Sequence, residues 1–364
     1  MIQVYLGFHG WKILKAFIPS VSFSLYCLLF SLLAYSYLIS RLLNHHLPEP
    51  LYRFLHFVGA YWLGAMYYLF LFFLFYDLLY LLLPPIRSTF ATRMAGALIV
   101  FTVTLLLSYG TYIARSPRIT SYHISINKPA PNLEKPTLKI VFVSDLHLGT
   151  LIGNSRLEDL VDTIQELQGD IILLGGDVLD EDLGPFVKQN MMATLARLSP
   201  PLGVYAIPGN HEYIGRHLTE FSEYLKSAGV QILIDQKVVL KDSLVLIGRD
   251  DLAAERFIGR KRLPLPELLS NVDTSLPIIL LDHQPFRLEE AEQAGVDLQL
   301  SGHTHRGQLW PNHLITRKVY ELDYGYKQRG NTHIIVSSGF GTWGPPIRLG
   351  SNSEIVVIEI TFSK

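Results

Sequence analysis

Cysteine is almost absent from this sequence, because Cys27 is the only one among 364 residues. A single thiol excludes both a disulfide framework and a thiolate metal site within one chain. Charged residues are also scarce, at 17% of the chain, whereas 49% of the residues are hydrophobic. This composition excludes a disordered protein and disfavours a wholly soluble one.

Acidic residues are missing above all from the first third of the chain. Residues 1–118 contain two acids, Glu49 and Asp77, against eight lysines and arginines, which gives this part a net charge of +6. The remaining residues carry 30 acids and 23 bases, so the overall charge of −1 is a cancellation. A basic, apolar part followed by an acidic part predicts a membrane unit joined to a water-soluble domain.

Three stretches contain no Asp, Glu, Lys or Arg, and each reaches the roughly 20 residues that a membrane-spanning helix needs. They are residues 16–40, 54–76 and 94–114. About three transmembrane helices are therefore predicted within an anchor of residues 1–118. We expect a multi-pass protein of the cell membrane whose partner is the lipid bilayer, and no nucleic-acid partner. Four positive charges fall on each side of the spans, and Arg87 is one of them. The charges therefore do not predict on which side of the membrane the soluble domain lies.

The soluble part is predicted to be one α/β domain at residues 138–364, because short apolar strands there alternate with amphipathic helices. Prolines around an alternating stretch make residues 119–137 a connector with one strand, at 119–126. A capping box from Ser155 to Glu158 predicts the start of a helix. The further strands are predicted at 138–143, 170–174, 203–207, 244–247, 278–281 and 296–300.

Polar clusters follow five of these predicted strands directly. In chain order they contain Asp145 and His147, then Asp177 and Asp180, then Asn210 and His211, then His283, and last His303 and His305. Ligand sites in α/β sheets gather outside the carboxyl ends of strands, so five such clusters can converge on one crevice. Each motif alone is weak, and the specific signal is their joint placement.

The clusters offer oxygen and nitrogen donors and no sulfur, which suits divalent metals of the Mn, Fe, Zn, Co or Ni type. The candidate ligands are Asp145, His147, Asp177, Asn210, His283, His303 and His305. Seven ligands are too many for one tetrahedral ion, whereas two ions that share a bridging carboxylate would use them all. Such a pair clamps the attacking and leaving oxygens of a phosphoryl displacement.

The motif series Asp-x-His, Gly-Asp-x-x-Asp, Gly-Asn-His-Glu, a lone His and Gly-His-x-His resembles the calcineurin-like metallophosphoesterase superfamily, and the apolar front part resembles its membrane-anchored, multi-span members. The resemblance covers roughly residues 138–364. It implies a four-layer αββα sandwich of two mixed sheets flanked by helices, with a dinuclear metal centre at one edge. It also implies a metal-dependent phosphoesterase in which a hydroxide activated by both metals attacks phosphorus.

The same resemblance implies a role for each motif residue. The implied ligands of the first metal are Asp145, His147 and His305, those of the second are Asn210, His283 and His303, and the bridging ligand is Asp177. His211 would be a catalytic residue that contacts the phosphate oxygens or protonates the leaving group.

Two further residues are candidates for supporting roles. Asp180 would either orient a ligand histidine or cap a turn. Arg348 ends a segment rich in glycine and proline, residues 337–348, and would either hold a phosphate group or belong to a structural turn. In the same segment Trp343 would stack on the substrate or touch a lipid. Arg306, which follows His305, is at best a second phosphate contact.

The substrate stays open, because the same metal pair attacks monoesters, diesters and pyrophosphates. Membrane anchoring makes a lipid-linked substrate attractive, and one alternative is a pyrophosphatase of the UDP-2,3-diacylglucosamine type in lipid A synthesis. A hypothesis of another class treats the spans as a membrane sensor or partner-binding module with a regulated phosphoesterase output. A permease is disfavoured, since only Asp77 and His56 are polar groups near the spans that suit transport.

Overall fold

The computed structural model describes residues 1–44, 46–83 and 88–363. Arg87, one of the positive charges flanking the predicted spans, and Lys364, the last residue of the predicted domain, lie outside the described residues. By internal contacts the chain divides into two compact units. They are Met1–Ile113 with Gly344–Ile347, and Ala114–Trp343 with Arg348–Lys364.

Within the described residues the first unit contains four helices. They are α1 (Ile2–Phe17), α2 (Phe23–Leu42), α3 (Glu49–Leu82) and α4 (Thr89–Arg115). The last three are long and apolar enough to cross a membrane, judged by length and composition. This confirms the prediction of about three apolar N-terminal helices.

Helix α1 was not predicted, because Lys12 and Lys15 interrupt its apolar residues. The first charge-free run begins at residue 16, but α1 ends at Phe17 and α2 begins only at Phe23. The hydroxyl of Ser22 caps α2 by accepting a hydrogen bond from the N–H of Leu25, at 3.4 Å. A side-chain oxygen at this position satisfies a backbone donor that the first helical turn leaves free.

The second unit contains two six-stranded mixed sheets among the described residues. The strands of the first sheet are β1 (Arg118–Pro129), β2 (Thr137–Val143), β3 (Ile171–Leu174), β4 (Val204–Ala206), β5 (Val230–Ile232) and β12 (Glu354–Ser363). Their order is β1-β12-β2-β3-β4-β5. Only the pair β12 and β2 is antiparallel, and the other neighbours run parallel.

The second sheet has the order β10-β11-β9-β8-β7-β6, as counted in the described part of the chain. Its strands are β6 (Gln236–Leu240), β7 (Leu244–Gly248), β8 (Ile278–Leu281), β9 (Leu298–Ser301), β10 (Gly325–Arg329) and β11 (Thr332–Val336). The two outer pairs are antiparallel and the inner pairs are parallel. The prediction of two mixed sheets is therefore confirmed.

Short helices connect the strands of this unit. They are α5 (Asn154–Leu167), α6 (Leu183–Lys188), α7 (Met191–Leu195), α8 (Asn210–Ile214), α9 (Leu218–Ser227), α10 (Ala253–Ile258), α11 (Leu265–Leu268), α12 (Leu288–Gln293) and α13 (His313–Val319). The predicted capping box of α5 is wrong, because Gly153 is the N-cap and Ser155 already lies inside the helix. The side chain of Gln189 accepts from the backbone N–H of Asn154 instead, at 3.0 Å.

Strand β2 shows how the layers form. Its side chains alternate, so that Ile140 and Phe142 pack into a core between the two sheets while Val141 and Val143 pack against the helices outside. The core between the sheets also takes residues such as Leu246 from β7. A third cluster covers the outer face of the second sheet with residues of α11 and α12. The four-layer sandwich is thus confirmed.

Candidate metal centre

The predicted ligands and His211 follow the carboxyl ends of β2, β3, β4, β8 and β9, in loops or, for Asn210 and His211, in the first turn of α8. Strands β2, β3 and β4 run parallel in one sheet, and β8 and β9 run parallel in the other. Their carboxyl ends therefore present successive loops at one edge of each sheet. The local sequence favours this arrangement, because each apolar strand is buried and stops where the polar motif begins.

The loops bring six of the predicted ligands and His211 together. Three groups form, and in each the ligand atoms all lie within 4.8 Å of one another. The groups are Asp145 with His147 and His305, His147 with Asp177 and His211, and Asp177 with His283 and His303.

In the first group, Nε2 of His147 lies 3.1 Å from Nε2 of His305. The latter nitrogen is 3.5 Å from Oδ1 of Asp145. Ligand atoms of a tetrahedral ion such as Zn²⁺, with bonds of about 2.0–2.1 Å, lie roughly 3.3 Å apart. The separations in this group match that requirement.

Asp177 is shared by the second and third groups, and His147 links them to the first. Its Oδ2 is 3.1 Å from Nε2 of His283 and 4.0 Å from Nε2 of His147. Its other oxygen, Oδ1, accepts the backbone N–H of His211 at 2.8 Å. Next to His211, the buried Oδ1 of Asn210 has no hydrogen-bond partner among the described residues. A buried acceptor without a donor is costly, and a bound cation would satisfy it.

The backbone of most candidate ligands is left-handed. The five with positive φ are Asp145, His147, Asp177, His303 and His305, at 55°, 50°, 49°, 69° and 47°. Residues with a Cβ rarely adopt this conformation, which costs about 1–3 kcal/mol each and persists only where surrounding structure enforces it. Gly302 shows how tight the surroundings are, because a Cβ there would lie 1.8 Å from Oγ of Ser144.

Electrostatics separates the ligands into charged and neutral groups. Burial opposes ionisation of Asp177, but the charges of His283 and His211 hold its pKa well below the usual range. Burial lowers the pKa of His303 to about 3, with a contribution from His283. Burial and then the charge of Arg348 place the pKa of His305 well below its ordinary value. Metal ligation requires neutral imidazoles and ionised carboxylates, which these three shifts favour. At His283 and His147 burial opposes protonation, but neighbouring carboxylates raise the pKa of each imidazole, so a bound metal would have to displace their protons.

Asp180 contacts both a predicted ligand and the predicted catalytic residue. Its Oδ1 lies 3.5 Å from Nδ1 of His147 and 3.5 Å from Nδ1 of His211. The imidazole of His211 is buried, and its ring centroid is 4.6 Å from that of His147. Burial lowers the pKa of His211, which favours its neutral form.

Arg348 is completely buried behind His305. Its Nη2 lies 3.1 Å from Nδ1 of His305 and donates to the carbonyls of Gly339 and Gly341, at 3.0 and 2.6 Å. Its Nη1 donates to Oγ of Ser351 at 3.1 Å. The side chain therefore lies against a predicted ligand and not on the surface. Of the two other residues considered with it, Trp343 is exposed, and Arg306 lies with its guanidinium 4.6 Å from the ring centroid of Tyr324.

Glu212, for which the sequence predicts no role, accepts three backbone hydrogen bonds at the site. Its Oε2 accepts the backbone N–H groups of Gly209 and Asp177, at 2.7 and 3.2 Å, and its Oε1 accepts that of Leu179 at 2.9 Å. Burial raises its pKa to about 7, with a contribution from Asp177. The only available signal was an acid directly after the Gly-Asn-His motif.

Comparison with known proteins gives consistent matches. The sequence matches the calcineurin-like phosphoesterase family over residues 138–307. An uncharacterized metallophosphoesterase of Aquifex aeolicus is 36% identical over 264 residues, which cover 72% of this chain and 98% of that protein. Proteins called transmembrane protein with metallophosphoesterase domain, from Danio rerio and Bos taurus, are 31% and 32% identical. Those alignments cover 68% and 71% of this chain but 58% and 61% of the relatives.

These matches and the geometry agree on the same part of the chain. The family match includes every strand-end motif from Asp145 to His305. The Aquifex relative aligns over nearly its whole length. The chain belongs to the calcineurin-like metallophosphoesterase family, and it is a metal-dependent phosphoesterase.

Proposed function

We propose that this protein is a membrane-anchored, two-metal phosphohydrolase that cleaves a phosphoester or pyrophosphate bond. Residues 138–364 are its catalytic domain, residues 1–118 its anchor and residues 119–137 the connector. The observation that carries the proposal is the position of Asp177, whose carboxylate belongs to two groups of ligand atoms at once. A carboxylate shared in this way is what a dinuclear centre needs as its bridging ligand.

The residues fit two divalent ions of the Mn, Fe, Zn, Co or Ni type, because the donors are carboxylates, imidazoles and one amide oxygen. The proposed ligands are Asp145, His147 and His305 at one site, Asn210, His283 and His303 at the other, and Asp177 at both. The unpartnered Oδ1 of Asn210 supports a cation at the second site. When bound, such ions lower the pKa of water and neutralise charge on a phosphoryl group.

The protein's own residues then orient the substrate and handle the leaving group. His211 is buried beside Asp177 and is oriented by Asp180, whose Oδ1 lies 3.5 Å from its Nδ1. From this place the neutral His211 contacts the phosphate oxygens, or, once protonated, it gives a proton to the leaving oxygen. Arg348 acts from behind His305 and keeps that imidazole neutral and in place.

Membrane association is supported by three apolar helices and by relatives that are named transmembrane proteins. We extend this to a multi-pass protein of the cell membrane. A reporter fused after Lys364 and read on each side of the membrane tests the topology. Activity on one side only supports an anchored catalytic domain with a fixed orientation. Release of the protein by alkaline washing contradicts the proposed spans.

Substrates that stay in the bilayer suit an enzyme with such an anchor. We therefore propose a lipid-linked phosphoester or pyrophosphate, a class that includes UDP-2,3-diacylglucosamine. Comparing lipid extracts of cells with the active enzyme and with its His303→Ala variant tests this step. A lipid phosphate that accumulates only in the variant supports it, whereas identical extracts contradict it.

Hydrolysis itself is tested with the purified full-length protein on p-nitrophenyl phosphate and bis-p-nitrophenyl phosphate, with Mn²⁺ or with a chelator. We expect metal-dependent release of p-nitrophenol and a loss of about a hundredfold or more in the His303→Ala variant. His217→Ala is the matched control, because His217 is exposed at the N-cap of α9 and pairs with Glu220. Equal rates from wild type and His303→Ala, or rates without metal dependence, contradict the proposal and favour the sensor hypothesis.

A further inference from the structure

Helix α13 exposes its apolar side chains instead of burying them. None of its seven residues is buried, and Leu314, Ile315 and Val319 are 54%, 62% and 55% exposed. A surface helix of a soluble domain ordinarily turns its apolar stripe toward the core. This helix therefore presents an apolar surface that its own domain does not cover.

The polar contacts of α13 show which of its faces points inward. Oγ1 of Thr316 donates to Oδ2 of Asp323 at 2.6 Å, so a polar side chain attaches the helix to the domain. With about 100° of rotation per residue, Leu314, Ile315 and Val319 fall within an arc of roughly 140° away from that contact. Of its two exposed cations, Lys318 lies within this arc and Arg317 lies about 60° outside its edge, and the helix contains no acid.

Two exposed tryptophans lie near α13 and the metal centre. Trp343 is fixed beside the turn that precedes α13, because its backbone N–H and carbonyl both bond to the side-chain amide of Gln308, at 2.9 and 3.0 Å. Its ring is 59% exposed and its centroid lies 6.3 Å from that of His211. Trp310, between Gln308 and the helix, is 57% exposed. We call this surface the α13 patch, and its members are Trp310, Leu314, Ile315, Val319 and Trp343.

We propose that the α13 patch docks on an anionic lipid bilayer and so brings the metal centre to substrates held there. Charge complementarity favours an anionic bilayer as the partner of this patch, because Arg317 and Lys318 lie beside the apolar side chains and attract anionic headgroups. Tryptophans beside such residues are typical of surfaces that rest at the membrane–water interface. The apolar helices of the same chain raise the local concentration of bilayer, so even weak docking is populated. The catalytic consequence rests on the proposed function, whereas the docking itself does not.

The depth of the patch tests the docking directly. The full-length protein with Cys27→Ser and Ile315→Cys, labelled with an environment-sensitive fluorophore, is reconstituted in phosphatidylcholine and phosphatidylglycerol vesicles with doxyl-labelled lipid. Val239→Cys is the matched control. Val239 is also apolar and 49% exposed, but it lies on β6, which is at the other edge of the second sheet from β10. We expect the doxyl lipid to quench the label at position 315 about twofold or more relative to the label at 239.

Charge reversal tests which lipid is recognised. Arg317→Glu with Lys318→Glu reduces the difference in quenching between positions 315 and 239 in the anionic vesicles. Equal quenching at positions 315 and 239, or disulfide-linked dimers through Cys at position 315, overturns the proposal, the latter in favour of a second copy of the chain.

Hydrolysis of p-nitrophenyl phosphate in detergent separates this proposal from the previous one. Ile315→Cys lies outside the metal centre and keeps the wild-type rate. Hydrolysis without preferential quenching means that only the docking fails. Preferential quenching without hydrolysis means that only the proposed function fails.

Discussion

Nη2 of Arg348 lies 3.1 Å from Nδ1 of His305, while Nε2 of the same imidazole lies 3.5 Å from Oδ1 of Asp145. The guanidinium thus contacts the side of the ring that faces away from the other candidate ligands. Burial and then the positive charge of Arg348 lower the pKa of His305, so the neutral imidazole is favoured. Ligation through Nε2 requires the ring proton on Nδ1, so Arg348 acts on His305 through its charge and packing and not as a hydrogen-bond donor. Arg348 is therefore a positioning residue for the metal centre.

The first prediction is that Arg348→Lys raises the Mn²⁺ concentration for half-maximal hydrolysis by about 10- to 100-fold. A lysine ammonium cannot reproduce the fork that reaches Gly339, Gly341 and His305 together. The measurement is p-nitrophenyl phosphate hydrolysis over a Mn²⁺ titration. Arg329→Lys is the control, because Arg329 lies on β10 and pairs with surface acids. A lower melting temperature with an unchanged Mn²⁺ requirement would mean that Arg348 is only structural.

The second prediction concerns metal removal. A ligand at 100 times its Kd stabilises a folded protein by about 2.7 kcal/mol, which is roughly 5 to 10 °C for a domain of this size. Chelation should therefore lower the melting temperature of the full-length protein by about that amount, and Mn²⁺ should restore it. The His283→Ala variant should show a clearly smaller shift, whereas His217→Ala should behave like wild type. Identical shifts in His283→Ala and wild type would exclude His283 as a ligand.

The strand-end motifs could be predicted because the relevant strands are short, buried and uniformly apolar. β3 and β8 both read Ile-Ile-Leu-Leu, and each is followed at once by its polar motif. Parallel strands bring such motifs to one edge whatever the details of the loops. This is why the structure brings the sequence-predicted residues together, from Asp145 to His305.

Features that depend on distant partners could not be predicted in this way. β1 pairs with β12, more than 200 residues later, and the alternation of β1 gave no sign of its partner. The amide oxygen of Gln189 takes the place expected for a cap at Ser155. Arg348 lies in a segment rich in glycine and proline that predicted either a phosphate-binding loop or a structural turn, yet its side chain is buried and bonds to two carbonyls of that segment. Composition does not reveal which loops fold inward.

The third prediction uses the backbone of the ligands. His303→Gly and His303→Ala both remove the imidazole, but only glycine adopts φ of 69° without strain. For alanine this backbone conformation costs roughly 1–2 kcal/mol of folded-state strain. Glycine avoids that strain but lowers the free energy of unfolding by about 0.4–1 kcal/mol, because its unfolded chain is more flexible. The glycine variant should be more stable by about 0.5–1 kcal/mol, measured by thermal unfolding without metal.

His217 is the control position for this comparison, because its φ of −109° is ordinary for any residue. There the glycine variant should gain nothing over the alanine variant. If His303→Ala unfolds at the same temperature as His303→Gly, or at a higher one, the left-handed backbone of the ligand does not store strain.

The fourth prediction is that Glu212→Gln destabilises the protein by about 1–3 kcal/mol and slows hydrolysis. Both carboxylate oxygens of Glu212 accept backbone N–H groups, including that of Asp177. Glutamine has one acceptor oxygen, so its NH₂ group must face a backbone donor and leave it unpaired in the interior. Thermal unfolding and p-nitrophenyl phosphate hydrolysis measure the two effects, with the exposed Glu220→Gln as control.

An unchanged melting temperature would show that Glu212 does not fix the loop carrying Asp177. A lower melting temperature with normal hydrolysis would show that the bridging position tolerates movement of that loop.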